Sequence, residues 1–307
     1  MRPGDVSACF GAGVAAFMLG QDDVARRRFE SALALNPTFV PAAVWLGDLH
    51  YRAGRLSEAI ATYEAVAAPQ ERELQRQLDD WRREQALQSR FQTERTDHFT
   101  ALFAADADAN AARAVLERLE AAYSRIGHAI GIYPSQTTTV VLYTRQQFDD
   151  ITRLPEWSVA AYDGRIRVPL DRARDRPEEL DRLLSHEFTH ALVARIGGRT
   201  VPAWLNEGLA TVLEPDGFGA PDARPTFTGN RPALTDLHSS FVGLSTRDAE
   251  MAYAWATRAV RRLMELRGTP AVVALLEDLS RGTTFDDAFR RRMTMRYEAF
   301  TELLARD

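Results

Sequence analysis

A chain of 307 residues with 45% hydrophobic content can bury one large core or two ordinary ones. A net charge of −5 excludes the basic surplus expected of a nucleic-acid-binding protein. One cysteine, Cys9, excludes an internal disulfide framework, and no stretch reaches the ~18 apolar residues of a membrane span. Every basic side chain is arginine, which reads as genome composition and not as an arginine-specific function.

The chain opens on MRPGDVSACFGAGVAAFMLG, one Arg followed by a mostly apolar run. Asp5 breaks the charge pattern of a secretory leader, and the run falls into register with a repeat. The compartment is left open, with the cytoplasm favoured for want of a convincing leader. Gly13 and Gly47 lie 34 residues apart, as do Gly20 and Gly54, Ala25 and Ala59, and Phe29 and Tyr63. That period and those residue types resemble tetratricopeptide repeats, two antiparallel helices per unit. Leu35–Pro37 closes the first unit, with Pro ending its helix. Two units leave an apolar face open. The next segment, Gln70 to Arg95, lacks Gly and Pro and carries Leu74, Leu78 and Trp81 on one stripe. It is expected to be a long capping and linking helix whose charges form a solvated face.

From Thr96 the pattern becomes mixed α/β. Asp97–Ala104 reads as a strand, and Asn110–Ile130 as a helix with Leu116, Leu119, Tyr123, Ile126 and Ile130 on one side. Thr137–Thr144 is β-branched and aromatic, a strand signal. Ala160–Leu170 reads as a turn at Asp163–Gly164 into a short strand, which Pro169 marks as an edge. Most of the remainder reads as helix.

The helix expected over Pro177–Ile196 has Asp175 as a candidate cap, Glu178 and Glu179 in its first turn, and Gly197 and Gly198 as its stop. His186 and His190 stand four apart, so both imidazoles leave one face and can meet one tetrahedral ion. Glu187 lies about 100° around the helix, placed for a water and not for the ion. The same residues also suit an ordinary amphipathic helix. What favours metal is Val201–Glu214, read as a following helix that puts Glu207 seventeen residues after His190 as a third ligand. Gly208 beside it suits a close helix approach.

His-Glu-x-x-His followed by Asn-Glu-Gly resembles the gluzincin metallopeptidases, and WLNEGLA is similar to the glutamate-bearing helix of the zinc aminopeptidases. Residues 97–307 look like a peptidase-MA-type domain, with Tyr162–Leu170 and Ala252–Leu263 as supporting stretches. The resemblance implies Zn2+ held by His186, His190 and Glu207, with Glu187 as general base. It implies an edge strand near Ile166–Val168 that takes an extended peptide by β-addition. It also implies an oxyanion donor after the glutamate helix. Tyr253 fits that place best and His238 second, although Tyr253 suits a core aromatic equally well.

The chain departs from the family in three places, one of them a gap from His190 to Glu207 slightly shorter than in the zinc aminopeptidases. The Gly-x-Met-Glu-Asn segment that grips a substrate amine in the aminopeptidases is absent, which points to an endopeptidase. The position four after Glu207, acidic in thermolysin-like enzymes, is Thr211, so no residue stands out to orient a metal histidine.

The fold expected is α+β and mostly helical. Tetratricopeptide repeats over residues 1–69 and a linker helix over 70–95 form an α-solenoid, followed by a zincin-like domain over 96–307 with a small mixed sheet and an active-site helix. The function expected is zinc-dependent cleavage of a peptide or protein substrate, with the repeats recruiting a partner. The alternative is a zinc-stabilised interaction scaffold with weak or no turnover. His50, His98, His128 and the Gly/Pro/Asp-rich stretch Glu214–Pro232 are given no chemistry.

Overall fold

The first repeat pairs α1 (Val6–Met18) with α2 (Asp22–Leu35), and the second pairs α3 (Val40–Arg52) with α4 (Leu56–Glu64). The Asp5 side chain caps α1 by accepting from the backbone N–H groups of Ser7 and Ala8. The 34-residue spacing has a direct steric cause. A Cβ on Gly13 would lie 2.5 Å from the Phe29 ring, and one on Gly47 would lie 2.4 Å from the Tyr63 ring. Each unit thus seats one buried ring against one bare backbone, twice over. The computed structural model describes residues 5–66, 72–104, 109–152, 161–170, 177–215, 233–241 and 244–306.

Helix α5 (Arg72–Gln88) closes the stack as expected: Leu78 and Trp81 pack with Leu56, Ala59, Ile60 and Tyr63. The Trp81 ring lies 4.4 Å from Tyr63 and stacks on Tyr51 at 5.0 Å. Two expectations for this segment are corrected. The helix stops at Gln88, and β1 (Phe91–Arg95) follows, paired antiparallel to β2 (Phe99–Ala104). Strand pairing overrides the helical tendency of these residues. Nor are all the charges of α5 solvated: Glu84, one turn beyond Trp81, is buried.

Helix α6 (Ala109–Ile130) buries Leu116, Leu119, Tyr123 and Ile126 and leads to β3 (Thr138–Tyr143). Helix α7 (Arg145–Thr152) precedes a hairpin of β4 (Ala161–Tyr162) and β5 (Ile166–Pro169). The mixed sheet has the order β1-β2-β3-β5-β4, with β2, β3 and β5 parallel. β5 is therefore not the edge at Ile166–Val168. Tyr162 pairs with Ile166 and Ala161 with Arg167, so β4 occupies the position an added peptide would need there.

The Glu84 carboxylate explains much of this arrangement. It accepts from Arg165 at 3.1 Å, Arg167 at 2.7 Å, Tyr51 at 2.7 Å and Tyr143 at 2.9 Å. Both arginines are buried as fully as the carboxylate. Arg167 also bonds Asp163 at 3.1 Å, so two acids and two guanidiniums balance one another. This network joins α3, α5, β3 and β5 into one body.

The chain forms two compact units, Met1–Leu116 with Thr137–Arg174, and Glu117–Gln136 with Asp175–Asp307. The sheet belongs to the first unit along with the repeats, a grouping unlike a boundary at residue 96. The second unit is helical among the described residues. It contains α8 (Pro177–Gly197), α9 (Ala203–Val212), a 3-10 turn (Leu234–His238), α10 (Thr246–Arg267), α11 (Thr269–Ser280), α12 (Phe285–Met293) and α13 (Tyr297–Arg306). Its core is built on Trp204, Leu209, Trp255, Val260, Leu276, Phe289 and Phe300. Among the described residues no helix is long and apolar enough to cross a membrane. Gln70, Asp175, Ala160 and all but the first two residues of Glu214–Pro232 lie outside the described residues.

Candidate metal centre

Helix α8 buries Leu184, Phe188, Ala191 and Leu192 on one side, which fixes the direction of the opposite face. His186 and His190 share that face, with ring centroids 4.7 Å apart and planes at 85°. Helix α9 brings Glu207 to them. Its Oε2 lies 3.5 Å from Nε2 of His186 and 3.5 Å from Nε2 of His190. On its other side, Gly208 lets α9 lie close against α10. A Cβ there would meet the backbone oxygen of Ala256 on α10 at 2.4 Å.

The three side chains form a set whose ligand atoms all lie within 4.8 Å of one another. Two ligands held ~2.0–2.1 Å from one tetrahedral ion stand ~3.4 Å apart, close to the spacing found. Glu207 Oε2 is buried and accepts no hydrogen bond. A buried carboxylate oxygen without a donor is costly unless a cation meets it. Donor chemistry and spacing therefore fit zinc.

The outer nitrogens of both rings are held. Nδ1 of His186 lies 3.1 Å from Glu214 Oε1, and Nδ1 of His190 lies 3.0 Å from Asn206 Oδ1. An acceptor at Nδ1 draws a proton there and turns Nε2 toward Glu207, so in the neutral ring Nε2 is the nitrogen that carries the lone pair. Glu214 and Asn206 are the orienting residues that the sequence reading did not identify. A signal for Glu214 existed: a helix continued seven residues, two turns, beyond Glu207 would put it on the same face, although α9 itself ends at Val212.

The electrostatics follow from burial among carboxylates. Burial disfavours the His186 imidazolium, but the carboxylates of Glu207 and Glu214 on either side of the ring outweigh it and push that pKa up to about 10. Burial would raise the Glu207 carboxyl, yet the neighbouring imidazoles of His186 and His190 hold it below the usual range. Burial, with the charges of Glu207 and Glu187, pushes the Tyr253 phenol up. Tyr253 therefore stays protonated beside Glu207. Glu187 is buried, and its charge acts on both His186 and Tyr253.

The two oxyanion candidates are thus in different places. The Tyr253 ring lies 6.4 Å from that of His186, and its phenol is within the influence of the Glu207 and Glu187 charges. His238 sits against Phe285 and bonds the Tyr297 hydroxyl at 3.1 Å, outside the ligand set.

A family model for the tetratricopeptide repeat matches residues 16–78, a span that takes in most of both repeats and the first part of α5. No curated protein matches the chain. The residues of the first unit thus include a tetratricopeptide repeat region, a type of module that presents extended surfaces to protein partners.

Proposed function

We propose that the second unit is a zinc-dependent peptide hydrolase, most simply an endopeptidase, and that the repeats recruit its substrate or a partner. The observation that carries this reading is the set of His186, His190 and Glu207 around one unbonded, buried carboxylate oxygen. A site built only for structure has no need of Glu187, a buried acid beside the set.

His186, His190 and Glu207 would hold the metal through Nε2, Nε2 and a carboxylate oxygen. Zinc, when bound, supplies Lewis acidity toward water and a peptide carbonyl. Glu187 takes the proton released as water attacks and delivers it to the leaving amine nitrogen. Glu214 and Asn206 keep both imidazoles in the ligating tautomer. Tyr253, protonated and poised at Glu207, is the neutral donor available to the oxyanion.

A peptide-library assay on Glu187→Gln tests this. The variant is expected to retain zinc and lose hydrolysis by about 10²–10⁴-fold. Wild-type turnover by that variant would refute the assigned base. The second reading, an interaction scaffold, draws on the matched repeats. It predicts partner capture with no chelator-sensitive cleavage.

A further inference from the structure

The residue just before His186 and the residue just before Glu214 are bonded to the same side chain. Arg125 of α6 donates through Nη2 to the Ser185 hydroxyl at 2.8 Å and through Nη1 to the Leu213 carbonyl at 2.6 Å. Leu213 is the C-terminal cap of α9, where a helix leaves carbonyls without intrahelical partners. A guanidinium there satisfies one of them and meets the negative end of the helix dipole. Ser185 is buried in α8. One planar fork thus ties α8 to the end of α9, one residue away from each half of the His186–Glu214 bond.

We infer that Arg125 is a positioning residue for the metal centre: it sets the spacing between α8 and the end of α9 at which Glu214 holds His186 Nδ1. The inference rests on the zinc reading above. A fork is required, because two acceptors on different segments must be reached at once from one planar group. Lysine would carry the charge but is a point donor on a flexible stem. Arg125 is not what holds α6 to α8. Arg118 bonds Asp181 at 2.6 Å, and the Tyr123 ring lies 6.0 Å from Phe188. Loss of the fork should therefore disturb the ligand geometry more than the packing.

The test is a Co2+ and Zn2+ titration of the full chain, with the cobalt absorption spectrum recorded, for wild type, Arg125→Met, Arg125→Lys, Glu214→Gln and the Arg125→Met/Glu214→Gln double variant. Arg125→Met is expected to bind metal about tenfold more weakly and to alter the cobalt bands, with Arg125→Lys in between. Because Arg125 acts through Glu214, the double variant should bind no more weakly than Glu214→Gln alone. Wild-type affinity and spectrum in Arg125→Met, or additive losses in the double variant, would overturn the role. If Arg125→Met does not fold, Ser185→Ala removes one of the two bonds, and wild-type metal affinity in that variant would overturn it equally. A wild-type chain that takes up no metal would instead remove the zinc reading on which the inference stands.

Discussion

Glu214 Oε1 stands 3.1 Å from Nδ1 of His186, while Nε2 of the same ring faces Glu207 at 3.5 Å. The imidazole is thus held between two carboxylates, one facing each ring nitrogen. Glu214→Gln keeps the shape and an acceptor oxygen but loses the charge. It should weaken zinc binding by about 10–100-fold, as measured by competition with a chromophoric chelator. Unchanged affinity would mean that Glu214 does not orient the ring.

Tyr253→Phe separates two roles for that phenol. If the hydroxyl serves the oxyanion, kcat falls about 10²-fold while KM and zinc content stay near wild type. If it is a core aromatic that merely lies beside Glu207, kcat is retained. Steady-state kinetics on a cleavable peptide decide between them.

Glu84→Gln addresses the first unit. Burial alone would raise the Glu84 carboxyl, but Arg167 and Arg165 beside it hold it below 4.5. A folded value below the unfolded one means that this carboxylate's contribution is present above about pH 4.5. It is lost as the pH falls through the folded value. Glu84→Gln leaves two buried guanidiniums short of a counter-charge and should cost roughly 3 kcal/mol or more near neutrality. It should also flatten the acid limb of stability. Urea unfolding from about pH 7 down to pH 3 reads both effects, and an acid limb identical to wild type would contradict the assignment.

Gly208→Ala tests the close packing of α9, the helix that carries Glu207, against α10. The added Cβ would press on the Ala256 backbone oxygen at 2.4 Å, which cannot rotate away. A loss of about 1–3 kcal/mol in stability is expected, together with weaker zinc binding. Thermal unfolding and metal titration on one sample would show whether the two losses travel together.

What could be read from sequence was what local spacing carries. The 34-residue period exposed the repeats because Gly13 and Gly47 each face a ring in their own unit. The four-residue spacing of His186 and His190 fixed their common face. Glu84 was not legible, although it continues the Leu78 and Trp81 stripe, because its partners Arg165 and Arg167 lie 81 and 83 residues away. Phe91–Arg95 read as helix because the β2 partner that makes it a strand is a tertiary fact. Arg125 gave no signal for the same reason: both its acceptors are distant in sequence, and one is a backbone carbonyl.

The most direct test of the central claim is peptide hydrolysis by chelator-stripped protein as zinc is added back. The account predicts no cleavage in the stripped wild type, recovery that saturates at about one zinc per chain, and no recovery in His190→Ala. Cleavage that persists without zinc, or zinc uptake that His190→Ala leaves unchanged, would contradict it.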